Sequence, residues 1–440
     1  LTSLTETFLA NPYNAYVYAY PHKTAYRALR PPHRLARLWE PEKKDALFLY
    51  FHIPFCEQRC GYCNLFTTAQ AGAAHQQAYL DQLHRQARTV RQALGPGANF
   101  ARWAVGGGTP SLLDLPQLQR LFTISRNALG ADPTTIPVSF EASPETLSPE
   151  KLDFLKDRGV NRLSIGVQSF IPEELAQIAR HADLDRVRQA LNWSVEKNFS
   201  VLNIDLIYGL PGQTATTWRE TLHQTLTFDP EEVYLYPLYV RPLTGLARQA
   251  VDPGQTRLTL YRTGRDCLQD AGYQQLSMRH FRKKTSQTAQ GARYVCQEDG
   301  MIGLGCGARS YTRRVHYSSE YAVGLQGVHQ ILDAYLNMHP KRFAQAHHGF
   351  ILNHDEQARR YTLKSLLLKE GLTLKGYREY LGTEPLEDLP QLTQLLDEGL
   401  AVMNEKNLRL TETGLMLSDA IGPWLYSPTV TRRIEDYDLR

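Results

Sequence analysis

The stretch 52–66, HIPFCEQRCGYCNLF, sets three cysteines, Cys56, Cys60 and Cys63, in the spacing C-x3-C-x2-C. A structural zinc site usually draws four Cys or His ligands. Here His52 lies upstream, and no fourth ligand is obvious nearby. Three thiolates satisfy three irons of a [4Fe–4S] cube and leave the fourth iron open. An open iron can bind a ligand and pass it an electron. A zinc knot, or three ordinary buried cysteines, is the competing reading.

Around this segment the chain alternates strand and helix patterns. Residues 45–55 (DALFLYFHIPF) read as a strand and 73–93 as a helix. Further strands are expected at 101–107, 136–142, 162–167, 201–209 and 232–240, separated by helical stretches such as 113–129 and 215–228. Six strands in alternation with helices predict a parallel sheet with crossover helices. Five strands run into residues of chemical rather than structural character: the cysteines, GGGTP (106–110), SPE (143–145), QSF (168–170) and YGLPGQ (208–213). In a (β/α) barrel the loops at the C-terminal strand ends build the site; an open doubly wound sheet also puts its ligand there. The expected fold is α/β: a partial (β/α)6 TIM-type barrel at 45–350, preceded by an irregular arm or lid at 1–44. A mostly helical, winged-helix-like region follows at 351–440, with a hairpin turning at Glu405–Asn407 and a last helix over 411–425.

Composition narrows the function classes. The 440 residues carry 49 basic and 45 acidic side chains, a formal charge of +4, without a long basic run. That balance gives no case for nucleic acid, and acidic residues interleave the winged-helix-like region too. No apolar stretch is long enough to span a membrane, and the first twenty residues lack a signal-peptide pattern, so a cytoplasmic location is expected. Six cysteines, three within eight residues, favour metal chemistry over a disulfide framework. Of the others, Cys267 and Cys306 read as packed, and Cys296 as structural or as a late hydrogen donor.

GGGTP follows the second strand, where glycine lets the backbone approach a ligand closely; a tight turn is the plainer reading. Tyr62, before the last cysteine, could stack on an adenine. At this point the chain resembles radical S-adenosylmethionine (SAM) enzymes similar to oxygen-independent coproporphyrinogen III oxidase. The resemblance rests on Y-x-Y-P at Tyr18–Pro21, LYFHIPFC, GGGTP, NRLSIGVQSF, NIDLIYGLPGQT and GYQQLSMRHF. It implies a cluster on Cys56, Cys60 and Cys63, and a SAM against Tyr50, Tyr62, Gly107 and Glu141. Oxidase-type members also hold a second SAM, and Phe55, Gly108, Thr109, Gln168, Arg180, Asp205 and Tyr239 match its positions; they would grip a second SAM or help hold the first. Tyr50 and Asp205 are also expected to act catalytically. An Arg180–Asp205 ion pair is the structural alternative.

Two departures stand out. The oxidase's fourth cysteine is Leu65 here, and the run before GLGCGA, RYVCQEDGM (293–301), lacks the H-N-x-x-Y-W of related heme chaperones. SMRHFRKK (277–284) and ARSYTRR (308–314) are basic where the oxidase has Asp or apolar residues. Arg279, Arg282 and Arg309 therefore suggest paired forks for an anionic substrate, or else a solvated basic surface; Arg309 is also placed among the cofactor-facing residues. Tyr13, Tyr16, Tyr18, Tyr20 and Tyr26 suggest a lid over a site that must exclude water, or pins for the arm. The expected partners are a small-molecule substrate, anionic in the first of these readings, and a flavodoxin- or ferredoxin-type electron donor, with no nucleic acid and no membrane. Three activities remain open: carbon transfer from a second SAM, oxidase-type tetrapyrrole or heme chemistry, and a heme-binding chaperone.

Overall fold

The computed structural model describes residues 3–247, 254–284 and 294–439; Arg293, the first residue of the run before GLGCGA, lies outside them. Six strands form the centre: β1 (Leu47–Ile53), β2 (Phe100–Gly107), β3 (Val138–Ala142), β4 (Val160–Gln168), β5 (Val201–Tyr208) and β6 (Glu232–Pro237). They lie side by side in sequence order and every neighbouring pair is parallel. The pleat explains their composition, since alternate side chains point to opposite faces. Leu47, Leu49, Phe51 and Ile53 of β1, Val138 and Phe140 of β3, and Leu202, Ile204 and Leu206 of β5 are buried on the outer face. Tyr50, Ser139, Glu141, Asn203 and Asp205 occupy the other face, so the concave side is polar and small rather than packed.

The helix expected from residue 73 runs Ala73–Leu94 and buries Tyr79, Leu80, Leu83, Ala87 and Val90 along one stripe. The stretch 113–129 is an α-helix, Leu115–Thr123, continued by a π-type turn over Ile124–Leu129. Asp114 and Gln117 cap it reciprocally.

The six strands are part of a 13-stranded sheet, open among the described residues. Met301–Leu304 adds to β1 in parallel, followed outward by Arg309–Tyr311, Val315–Ser318 and Gln345–Ile351. His280–Lys283 and Tyr273–Gln275 extend the sheet beyond β6. The partial barrel is therefore correct, but the N-terminal segment is not irregular. Arg27–Arg34 is the outermost strand, paired with Gln345–Ile351, between helices Leu4–Ala10 and Leu35–Trp39. Pro31 and Pro32 lack the N–H that an interior strand needs, which an edge position tolerates. Only Leu29 of this strand is buried, so no alternation announced it.

The C-terminal region has helices His354–Leu366, Leu374–Leu381 and Leu392–Asp397 and a small sheet of Leu372–Thr373, Ala401–Met403 and Asn407–Leu410. The hairpin turns at 404–406, not 405–407: Asn404 Oδ1 accepts from the Lys406 and Asn407 N–H groups, and Asn407 already lies in the strand. The single expected last helix is divided into Glu412–Met416 and Ser418–Trp424, and Pro428–Glu435 follows. No helix among the described residues is long and apolar enough to cross a membrane.

Candidate active site

The cysteine loop leaves the end of β1 and is held by backbone on both sides. Thr68 N–H donates to Pro54 O at 2.7 Å and Gln70 N–H to Cys56 O at 3.2 Å. Gly61 N–H donates to Ile178 O at 2.7 Å, while Gly61 O accepts from Leu246 N–H at 2.9 Å. The glycine loop after β2 is tied to the same segment: Gly108 N–H donates to Ile53 O and Thr109 N–H to Phe55 O, both at 2.7 Å. Gly107 has φ +118°, where a side chain is strained, and a Cβ there would meet the His52 ring at 2.7 Å. A Cβ on Gly108 would lie 2.6 Å from Phe55 O and 2.9 Å from Cys56 Sγ. GGGTP is thus a close backbone approach to the first cysteine rather than only a tight turn.

Burial pushes the Cys56 thiol up to about 12, and the neighbouring Cys63 and Cys60 press the same way. No group of three Cys, His, Asp or Glu among the described residues converges on a single ion. Three cysteines in one loop suit a cuboidal cluster, in which each thiolate takes its own iron, while a structural zinc would draw a fourth ligand. Arg180 Nη1 donates to Cys60 Sγ at 3.7 Å and Thr67 Oγ1 lies 3.9 Å from Cys63 Sγ. Leu65, at the oxidase's fourth cysteine, is 46% exposed. Tyr62 packs on an apolar group that includes Ile178, Ile207, Leu210 and Leu246.

Tyr50, Asp205, Tyr236 and Arg309 keep accessible surface although protein encloses them, the mark of groups lining an interior lumen. Tyr50 OH is 3.2 Å from His52 Nδ1, and His52 Nε2 is 2.8 Å from Phe66 O. A carbonyl only accepts, so Nε2 carries the proton and Nδ1 accepts from Tyr50. Burial holds His52 down at about 4, hence neutral. Glu141 Oε2 accepts from Gly107 N–H at 3.1 Å; burial first, then Asp205, raises its carboxyl to about 7. Asp205 accepts from Asn203 Nδ2 at 2.8 Å and Ser164 Oγ at 3.2 Å, and burial raises it also. Gln168 sits at φ +73° beside a register shift in the β4–β5 ladder. A non-glycine residue there is uncommon and points to a site.

Several expectations need correction. Arg180 does not pair with Asp205: it donates to Gly166 O at 2.6 Å and meets Glu145 at 3.8 Å. The Phe55 ring is fully buried against Tyr79 and His75, so only its carbonyl meets the glycine loop. Tyr239 OH is engaged by Asp419 of the C-terminal region and by Arg279. Arg279 is neither a free fork nor a surface group; it is 4% exposed and paired with Asp419. Arg282 is paired with Glu232 at 2.6 Å. Arg313 is exposed and tied to Gln357 and Tyr380. Arg309 alone of the expected forks faces the lumen, with its guanidinium over the Tyr18 ring at 4.5 Å. Cys306 is fully buried, and Cys267 packs on the core from helix Gln255–Asp270. Cys296 lies 3.3 Å from Gln297 Oε1.

The arm's tyrosines divide between the two roles weighed for them. Tyr16 and Tyr18 enter the lumen, with Tyr16 6.2 Å from Tyr236 between ring centres. Tyr13 packs on Tyr208. Tyr20 is buried against Tyr426 and donates to Glu356, and Tyr26 is fully buried; these two pin the arm. Sequence reasoning missed Lys23, which follows Tyr18 into the lumen, and the Asn203–Ser164 support of Asp205. The polar, alternating NID of β5 was the available signal for the second.

A cysteine loop over a glycine loop, on the open end of a partial barrel, defines the radical SAM class. Comparison with known proteins agrees. The Radical SAM superfamily profile matches residues 50–225 and the HemN C-terminal domain profile residues 352–417. The chain is 30% identical over 392 residues to the oxygen-independent coproporphyrinogen III oxidase of Salmonella typhimurium, covering 84% of this chain and 83% of the relative. It is 27% identical over 383 residues to the heme chaperone HemW of Bacillus subtilis, covering 84% and 97%. The structure of coproporphyrinogen III oxidase (HemN) from Escherichia coli superposes with TM-score 0.75 at 23% identity, over 96% of this chain and 98% of that one, a likeness of fold. The chain belongs to the radical SAM superfamily, among the HemN-like proteins. That membership brings a [4Fe–4S] cluster and SAM as cofactors.

Proposed function

We propose that this protein is a radical SAM enzyme that abstracts a hydrogen atom from an anionic small molecule held in the lumen. The observation that carries the reading is the glycine loop pressed against Cys56 at the mouth of an enclosed, polar lumen. Cys56, Cys60 and Cys63 would hold the cluster, which would supply the electron for reductive cleavage of SAM. The chain's own residues position and shield. Tyr50, fixed by neutral His52, and Glu141, fixed by Gly107 N–H, bracket the cofactor. Gly107, Gly108 and Thr109 let it approach the backbone. Tyr62 offers its ring and apolar neighbours to the adenine. Arg180 stands against the Cys60 sulfur, and Tyr16 and Tyr18 close the lumen against water.

Carbon transfer from a second SAM is the competing reading. It draws on Asp205, which faces the lumen, and on the strained Gln168, but Phe55 and Tyr239 are committed elsewhere. Coproporphyrinogen oxidation and heme delivery are what the relatives' names suggest; Leu65 and the sequence of 293–301 weigh against both.

The test is anaerobic reconstitution, reduction with dithionite or a flavodoxin- or ferredoxin-type donor, addition of SAM and mass spectrometry of products. 5′-Deoxyadenosine from the wild type, absent from a Cys56→Ala, Cys60→Ala, Cys63→Ala variant, is expected. S-Adenosylhomocysteine or methylthioadenosine alongside it would favour carbon transfer. No cleavage with an intact cluster would overturn the enzyme reading.

A further inference from the structure

The cations in and around the lumen are of two kinds. Arg162, Arg180, Arg279 and Arg282 each meet a carboxylate: Glu232, Glu145, Asp419 and Glu232 again. Arg309, Lys23 and Lys364 have no ion pair among the described residues. The groups acting on Arg309 most strongly are Tyr18, Tyr311, Tyr26 and Tyr50, all neutral phenols when protonated. Those acting on Lys23 are Tyr18, Arg309 and Cys63. Arg309 Nη1 is buried with no hydrogen-bond partner among the described residues. Lys23 Nζ lies 3.5 Å from the centre of the Tyr321 ring, and Lys364 Nζ donates to Tyr18 O at 3.2 Å.

Burying a cation without a counter-charge costs several kcal/mol, and stacking on aromatic rings returns only part of it. Here two cations converge on one phenol, Tyr18. Burial by itself would raise that phenol, but Arg309 and Lys23 outweigh burial and draw it below the usual tyrosine range. The thiolate side of the cluster already has Arg180 against Cys60.

We propose that Arg309, Lys23 and the Tyr18 hydroxyl form an oxyanion site in the lumen that takes a carboxylate of the substrate. A planar guanidinium with an N–H that no described residue accepts, an ammonium and a phenol supply the donors that carboxylate recognition uses. The site joins the arm, through Tyr18 and Lys23, to the strand Arg309–Tyr311, so a bound anion also fastens the arm over the lumen. The assignment to substrate rests on the radical SAM reading of the same lumen; the anion site itself does not.

Malonate serves as the probe, on reconstituted holoprotein in low-chloride buffer, with melting temperature and SAM affinity as readouts. Malonate is expected to raise the melting temperature of the wild type and to leave Arg309→Met and Lys23→Met unmoved. Without malonate, Arg309→Met is expected to melt higher by roughly 1–3 °C, because an unpaired buried charge is gone; Arg279→Met, which orphans Asp419, melts lower. An Arg309→Met that melts lower like Arg279→Met, or a wild type insensitive to malonate, overturns the site. A SAM dissociation constant weakened about tenfold in Arg309→Met, with no malonate effect, gives the carboxylate to SAM and overturns the substrate assignment. Malonate stabilisation lost in both variants, in a wild type that never cleaves SAM, leaves the anion site standing and fails the radical reading instead.

Discussion

The two ends of the lumen hold similar residues in opposite states. At the N-terminal strand ends, Glu232 collects Arg162 at 2.8 Å, Arg282 at 2.6 Å and the His280 ring at 3.1 Å, and Tyr234 stacks on His280. Burial would raise the Glu232 carboxyl, yet His280, Arg162 and Arg282 together hold it well below the ordinary carboxylate range. At the C-terminal strand ends, Arg309 and Lys23 have no carboxylate partner among the described residues, Glu141 is raised to about 7, and Cys56, Cys60 and Cys63 share one loop. One end is complete within the chain. The other offers cations that no carboxylate among the described residues takes up. The difference separates residues that hold the barrel from residues that use it.

Changing the cysteines tests the ligand-dependent end most severely. Cys60→Ala is expected to abolish the iron–sulfur absorbance of the reconstituted protein and to bring SAM cleavage to background, while the far-ultraviolet circular dichroism stays that of the wild type. A variant that keeps its iron would mean that Cys60 holds none of it.

Breaking the complete end comes next in size. Glu232→Ala leaves the half-buried Arg162 and Arg282 without their counter-charge and is expected to cost up to about 3 kcal/mol in urea unfolding, less than for a fully buried pair. The pH dependence follows from the depressed carboxyl. The stability it supplies is fully present above the unfolded value of about 4.3 and is lost as pH falls below about 4 toward the folded value. Wild type should therefore show an acid loss of stability that Glu232→Gln largely lacks. Equal acid profiles would sink the ion-pair account of this end.

How much of this contrast was legible in the sequence depended on local signals. The three cysteines, GGGTP and Gln168 carry their meaning in spacing and strand-end position, and the six central strands in alternation, so both were readable. Arg279, Arg282 and Arg309 were not separable: three arginines in basic runs look alike until the fold brings Asp419 to the first and Glu232 to the second. Asp419 lies 140 positions from Arg279, and no short-range pattern encodes such a pairing. The edge strand Arg27–Arg34 was hidden by its prolines and its single buried side chain. Phe55 adjoins Cys56, and only the fold shows that its ring packs on Tyr79 while its carbonyl meets the glycine loop.

A smaller substitution probes the backbone approach. Gly108→Ala would place Cβ within 2.9 Å of Cys56 Sγ and 2.6 Å of Phe55 O. Overpacking of this kind costs about 1–3 kcal/mol, and here it also displaces the first cysteine. Iron content per chain is expected to fall further than the melting temperature alone would suggest. Gly72→Ala is the control, since nothing lies within 4 Å of a Cβ there. Equal iron loading in both variants would detach GGGTP from the cluster.

The smallest effect is the most specific, because it reverses the sign seen at Glu232. Glu141 is raised to about 7 chiefly by burial, so the folded protein binds its proton more tightly than the unfolded chain does. The stability this gives is fully present below the unfolded value of about 4.3 and is lost as pH rises through about 7. Glu141 is exposed by its accessible surface although the barrel encloses it, and discounting for that screening leaves at most about 1 kcal/mol. Glu141→Gln preserves an acceptor for Gly107 N–H and removes the titration. Its stability should stay level between pH 5 and pH 8 on the scale of about 1 kcal/mol, where the wild type declines. A wild type that instead gains stability over that interval would mean a cation faces Glu141, and the two ends of the lumen would then be alike.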